Sequence, residues 1–304
     1  MTIKELVDRI LKDARKWDRR YLDVTLHAIR NFESEGDAED LIERFLSEGS
    51  AVDFNLANPR AKDLFLAELL PNLLRHVAMD ANDPSEGIRV SCAFATFLRP
   101  EWNCAEGHID FDIGKAKKVI RNALSGFDFV GRFEPVTYQN EFHGRGEKRG
   151  PLVCFHCHCI VWTSASYSKL ERLRRSLKHR FGGGLDDDEG PDLRRLQTLE
   201  DVGNTAKYMS KLPALGKRTE DRNGGGVRQK SRKISYRSYY ATFNELRKHD
   251  MYTFWLSGGD GAKLLRDARR RLAVEYDEYG PRRRFVAGKP RRNFKHRGPR
   301  GYGH

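Results

Sequence analysis

The chain has 304 residues, a formal charge of +13 and 33% charged residues, with a mean hydropathy of −0.71. No apolar run approaches the roughly 20 residues that a bilayer span requires, which excludes a helical membrane protein and predicts a soluble one. Five cysteines, an odd number, behind the acid-containing amphipathic start "MTIKELVDRILKDARKW" predict reduced thiols in the cytoplasm and no signal peptide.

Residues 1–80 read as helices, because apolar positions recur at three and four in "IKELVDRILKDARKW", "AEDLIERFL" and "AKDLFLAELLPNLLRHVA". They carry a net charge of −4, so 1–85 is expected to form an acidic helical region. "DANDPSEG" (80–87) is a loop by its Pro, Gly and Asx content.

From residue 88 strands alternate with helices. Strands are expected at 88–98, 127–139 and 152–162, and helices at 112–127, 166–181 and 192–213. The last of these would bury Leu196, Leu199, Val202, Ala206 and Met209 in one stripe. The order predicts an α+β core over 86–213, a central antiparallel sheet with helices packed on one face. Residues 214–276 read as a polar accessory segment and 277–304 as a basic, disordered tail.

The charge beyond residue 80 is +17, and the final 24 residues hold nine Lys/Arg and no acid. Arg282, Arg283, Arg284, Arg291 and Arg292 stand there among Phe285, Phe294 and Tyr302, a composition suited to phosphates and stacked bases. Arg174 and Arg175, on the polar side of the 166–181 helix, join them as candidate nucleic-acid contacts. A solubilising tail is the plainer alternative.

"FHCHCIVW" (155–162) sets two histidines and two cysteines in one apolar run. Strand alternation puts Cys154, His156, His158, Ile160 and Trp162 on one face and Phe155, Cys157, Cys159 and Val161 on the other. That argues against a four-ligand zinc cluster, and the cysteines then act as small hydrophobes beneath the covering helices. Two histidines at i and i+2 on an exposed sheet face stand roughly 6.6 Å apart at Cα, close enough to converge on one cation.

A third ligand should come from the neighbouring strand. The 143–151 connection makes 127–139 and 152–162 a hairpin centred near residue 145, and reflection of the histidines through that centre falls on 132–134. Glu134 lies there, in a strand of Phe, Val, Thr and Tyr, where a carboxylate is costly unless paired or metal-bound. An ion pair with Arg132 is the alternative, and Pro135 can shift the register by one. Two imidazoles and one carboxylate suit Mg²⁺ or Mn²⁺ with open positions for phosphate oxygens; zinc is a chemical alternative. Tyr208 and Lys211 in "NTAKYMSKLP" lie at i and i+3, on one helical face, where they are either a boundary pair or a nucleophile with its cation.

The ordered blocks "CAFATFL", "GRFEPVTY", "FHCHCIVW" and "AKYMSK" resemble those of rolling-circle replication initiators in the HUH (His–hydrophobe–His) endonuclease superfamily, over roughly residues 88–213. The resemblance implies a ferredoxin- or palm-like sheet and site-specific nicking of single-stranded or hairpin origin DNA. It further implies a 5′-phosphotyrosine that leaves a 3′-OH for synthesis. By the same resemblance His156, His158 and Glu134 are metal ligands, Tyr208 the nucleophile and Lys211 the motif lysine. The chain departs from the pattern at Pro135 and at Asn204, one turn before Tyr208, where some relatives carry a second Tyr or a Glu; Asp201 is a candidate substitute. No "GxxxxGK[ST]" is present, so helicase and polymerase would come from the host. An HUH transposase or relaxase, and a non-catalytic nucleic-acid-binding protein, are the competing readings.

Overall fold

Thr2 and Glu5 start the first helix with a reciprocal cap: Glu5 N–H donates to Thr2 Oγ1 at 3.2 Å, and Thr2 N–H to the Glu5 carboxylate at 2.7 Å. The computed structural model describes residues 2–46, 54–80, 87–105, 108–139, 142–143, 147–148, 152–181, 192–212, 216–221, 227–232 and 235–277. Most of the 80–87 loop and the basic tail fall outside them.

Three helices open the chain, as the periodicity predicts: α1 (Ile3–Phe32), α2 (Glu35–Leu46) and α3 (Pro59–Val77). Along α1 the buried positions run Ile3, Leu6, Val7, Ile10, Leu11 and Ala14, then Asp18, Tyr21, Thr25, Ala28 and Ile29. Asn58 caps α3 by accepting from Arg60 and Ala61 N–H, and Pro59 fills the first turn, where its missing N–H costs nothing.

Next come β1 (Ser91–Ala105), α4 (Ile113–Ala123), β2 (Asp128–Gln139), the two-residue strands β3 (Phe142–His143) and β4 (Glu147–Lys148), β5 (Leu152–Thr163) and α5 (Tyr167–Phe181). They are followed by β6 (Asp192–Leu196), α6 (Leu199–Ser210), β7 (Gly216–Asp221), β8 (Val227–Arg232), α7 (Tyr236–Leu246), a 3-10 turn (Met251–Phe254), β9 (Trp255–Gly258) and α8 (Asp260–Asp277). The protein is α+β. Five antiparallel strands in the order β6-β1-β5-β2-β9 form an open sheet. β7 pairs in parallel with the far end of β2 and carries β8 outside it.

The β2–β5 register runs unbroken from Asp128 opposite Trp162 to Tyr138 opposite Leu152, centred on residue 145 as expected. Pro135 does not shift it. On its other side β2 meets β9 at 129–132 and β7 at 138–139, and Pro135 lies in the gap between them, where a residue without an N–H is tolerated.

Three expectations are corrected. Residues 192–196 are not helical: they pair antiparallel with β1, and α6 begins only at Leu199, behind a Thr198–Asp201 capping box. Leu193 and Leu196, three apart, satisfy either spacing, and the open edge of β1 decides for a strand. Leu196 is buried, but from the sheet and not from the helix. Secondly, β9, from the segment read as accessory, pairs with the first part of β2, from Phe129 to Arg132. Thirdly, helices cover both faces of the sheet. One core holds Ala95, Phe97, Phe133, Phe155, Cys157, Cys159 and Val161 with α4 and α5; the other holds Cys92, Val130, Ile160 and Trp162 with the first half of α1, α3, α6 and α8. Burying each such large apolar side chain is worth about 1.5–3 kcal/mol, so the histidine face could not stay bare.

Two glycines permit this packing. A Cβ on Gly203 of α6 would lie 2.3 Å from Ile10 Cδ1, so its absence lets α6 press against α1. A Cβ on Gly131 would lie 2.4 Å from Cys159 Sγ.

Candidate active site

The hairpin register sets Glu134 directly opposite His156 and Arg132 opposite His158, all on the face that α6 crosses. His156, His158, Glu134 and Arg132 are buried, which corrects the expectation of an exposed histidine face. Cys157 and Cys159 lie fully buried in the opposite core as free thiols, as alternation requires. Cys154 shares the histidine face and packs with Val136 and Tyr138.

Glu134 is the hub. One carboxylate oxygen stands 3.0 Å from His158 Nε2 and the other 3.0 Å from Lys211 Nζ. Burial alone would push Glu134 up, but the His158 ring and the Lys211 ammonium outweigh it and hold the carboxyl at about 2. Burial likewise works against the charge on Lys211, and Glu134 together with Tyr208 raises it above the ordinary lysine value. Thr96 Oγ1 lies 3.0 Å from His158 Nδ1, which fixes the ring and turns Nε2 toward Glu134.

Tyr208 completes the group from α6. Its ring lies 5.3 Å from that of His158 and 5.9 Å from that of Phe94, and the Lys211 ammonium sits 3.8 Å above its centroid. At 36% exposure it is the solvent-facing member of a buried set. Lys211 is not within the helix as expected: it is the C-cap, its N–H closing on Tyr208 C=O at 3.2 Å, and its side chain folds back over the tyrosine.

Arg132 holds this turn in place, a role the sequence reading missed. Its guanidinium donates to the carbonyls of Met209 at 2.7 Å and Lys211 at 2.9 Å, satisfying two of the acceptors that a helix C-terminus leaves open. Complete burial lowers its pKa to about 10, and Glu134 opposes that drop. The available signal was a second charge, two residues from Glu134, inside an apolar strand.

Among the described residues, no group of three or more His, Cys, Asp or Glu side chains is arranged to hold a metal ion. The donor set nevertheless fits one in part. Glu134 Oε2 and His158 Nε2 face each other at 3.0 Å without the alignment of a hydrogen bond. That is roughly the separation of adjacent ligands on an octahedral ion with bonds of about 2.1 Å. The His156 ring is 6.0 Å from that of His158 on the same face.

The other candidates lie elsewhere. α5 buries Leu170, Leu173 and Leu177 in the opposite core, so Arg174 and Arg175 are exposed on the far side of the sheet from Tyr208. Arg282, Arg283, Arg284, Arg291 and Arg292 lie outside the described residues. Asp201 is committed to capping, accepting from Gln197 and Thr198 N–H at 3.0 Å each. Tyr239 of α7, a tyrosine outside the four blocks, is buried, with its hydroxyl 2.6 Å from Thr25 Oγ1. No helix of the described residues is long and apolar enough to cross a membrane. No protein-family model matches the chain, and no curated protein and no solved structure matches it.

Proposed function

We propose that the protein is a metal-dependent, site-specific single-strand DNA endonuclease and strand transferase that uses Tyr208 as nucleophile, of the type that initiates rolling-circle replication. The observation that carries this reading is the convergence of a half-exposed tyrosine, a lysine, a carboxylate and an imidazole, drawn from α6, β2 and β5, at one point of the sheet. In the reaction, the Tyr208 oxygen forms a bond to phosphorus as its proton is lost to solvent. The P–O3′ bond breaks, and O3′ takes up a proton to leave a 3′-OH beside a 5′-phosphotyrosine. Lys211 stands where it offsets negative charge that builds up beside Tyr208. Glu134 and His158, with His156 as third donor, are the residues that would hold Mg²⁺ or Mn²⁺, which when bound supplies positive charge at a non-bridging phosphate oxygen. Origin DNA and the host helicase and polymerase are the partners this reading requires; an HUH transposase or relaxase would use the same chemistry on other DNA.

A non-catalytic nucleic-acid-binding protein is favoured by one observation: Lys211 already pairs with Glu134, so the buried carboxylate has a counter-charge without a metal cation. Labelled hairpin oligonucleotides from the DNA flanking the gene, incubated with Mn²⁺ and run on denaturing gels, separate the two. Nickase activity predicts a covalent adduct in the wild type and none in Tyr208→Phe. An adduct that survives in Tyr208→Phe removes the nucleophile, and none on any flanking sequence leaves the binding protein.

A further inference from the structure

Beside Tyr208, on the side away from Glu134, a cleft of about 490 Å³ opens between α1, the β6 edge of the sheet and α6. Its walls include Trp17, Phe94, Arg194, Asn204, Lys207 and Tyr208. We propose that this cleft binds a nucleotide unit of single-stranded nucleic acid, its base stacked against Trp17 and its backbone phosphates held by Arg194 and Lys207. This deepens the nickase reading, on which it rests for the identity of the strand, by giving that strand a seat next to the nucleophile.

The lining has the composition such a ligand requires. Trp17 is 46% exposed on α1, while Trp102, Trp162 and Trp255 are buried. Lys207 Nζ stands 5.1 Å from the Trp17 ring centre, and the Arg194 guanidinium 5.8 Å from that of Phe94. Flat aromatic faces alternating with cations bind single strands without regard to sequence, because every base offers a π-face and every linkage a charge. The acids nearby are engaged. Asp201 accepts the two backbone N–H groups at the start of α6, and Asp13 is held by Lys16 at 2.9 Å, with Lys207 farther off at 3.9 Å. The cleft is also within the size range of small-ligand sites, and its mouth is continuous with the exposed edge of Tyr208.

The arrangement gives α1 a place in substrate binding. Trp17 follows the stretch of α1 that packs under α6 and stands at the border of the buried stripe, one turn after Ala14 and one turn before Tyr21, which sets its ring beside Lys207 of α6. A strand in the cleft would thus be held between the helical region and the sheet.

The chain contains four tryptophans and Trp17 is the exposed one, so acrylamide quenching of intrinsic fluorescence reports on this cleft. The experiment uses the full-length Tyr208→Phe protein titrated with oligo-dT of twelve nucleotides and, separately, with polyphosphate of matched charge. Oligo-dT is expected to protect the quenchable tryptophan, polyphosphate to compete without protecting, and Trp17→Phe to abolish the protected signal. Lys207→Met and Arg194→Met should each weaken oligo-dT binding about tenfold. Oligo-dT binding that leaves the tryptophan fully quenchable, or an affinity unchanged in Trp17→Leu and Lys207→Met, would overturn the proposal. The failures are separable: protection of Trp17 with no covalent adduct in wild type keeps the cleft and removes the nickase. An adduct formed at the wild-type rate by Trp17→Leu, with no protection of Trp17 in the Tyr208→Phe titration, does the reverse.

Discussion

The guanidinium of Arg132, rooted in the middle of β2, donates to the carbonyl of Lys211 at 2.9 Å, and so ties the end of α6 to the strand that carries Glu134. Because Met209 C=O is held by the same nitrogen, the turn bearing Tyr208 and Lys211 is fixed relative to the carboxylate. Arg132→Met should strand two buried acceptors and lower stability by about 3 kcal/mol, read by urea denaturation. Arg132→Lys should recover much of that stability yet leave adduct formation at least tenfold slow, because the ammonium on its flexible stem lacks the fixed aim of the planar guanidinium at both carbonyls. A lysine variant with wild-type rate would show that position is not what Arg132 supplies.

Acid should weaken the fold through Glu134. Its folded pKa, about 2, lies below the ordinary value of 4.5, so its contribution is fully present above pH 4.5 and is lost as the pH falls toward 2. The size is on the order of 3 kcal/mol. Unfolding measured across that window should show wild type and Glu134→Gln converging as the pH drops, and parallel curves would refute the assignment.

Gly131 and Cys159 should be coupled. Gly131→Ala places a methyl 2.4 Å from Cys159 Sγ and 3.0 Å from His158 C=O, an overpacking expected to cost about 1–3 kcal/mol. Adding Cys159→Ala frees the sulfur's space, so the double variant should be more stable than the sum of the single losses by about 1 kcal/mol or more. Thermal melts of the four proteins complete the cycle.

The basic tail makes a separate prediction from composition alone. Truncation after Tyr279 removes nine cations and should flatten the dependence of log K on log salt for single-stranded DNA, while adduct formation persists at low salt. Titrations at several salt concentrations read the slope.

Much of this site was legible in the sequence because two of its determinants are local. Alternation along "FHCHCIVW" sorts histidines from cysteines without any knowledge of the fold, and a short hairpin connection fixes which β2 residues oppose them. What escaped was set by distant elements. "DLRRL" fits a helix or a strand until the free edge of β1 is known, and "WLSG" is too short to announce itself as the partner of β2. The burial of His158 depends on α6, some 40 to 50 residues downstream, which lays Tyr208 against its ring and is itself backed by α1 and α3. Trp17 left only a faint trace, because three after Ala14 and four before Tyr21 it falls in the register of the buried stripe and reads as one more core position.

The reach of α1 has a practical consequence. Its first half packs in the core beneath Ile160 and Trp162, and its second half, from Tyr21 to Ile29, in the core that holds Phe97 and Phe155. A fragment trimmed to begin at residue 86 would therefore lose part of both cores at once. The thirty residues of α1 act as a spine shared by both cores, and any minimal version of this protein has to keep them.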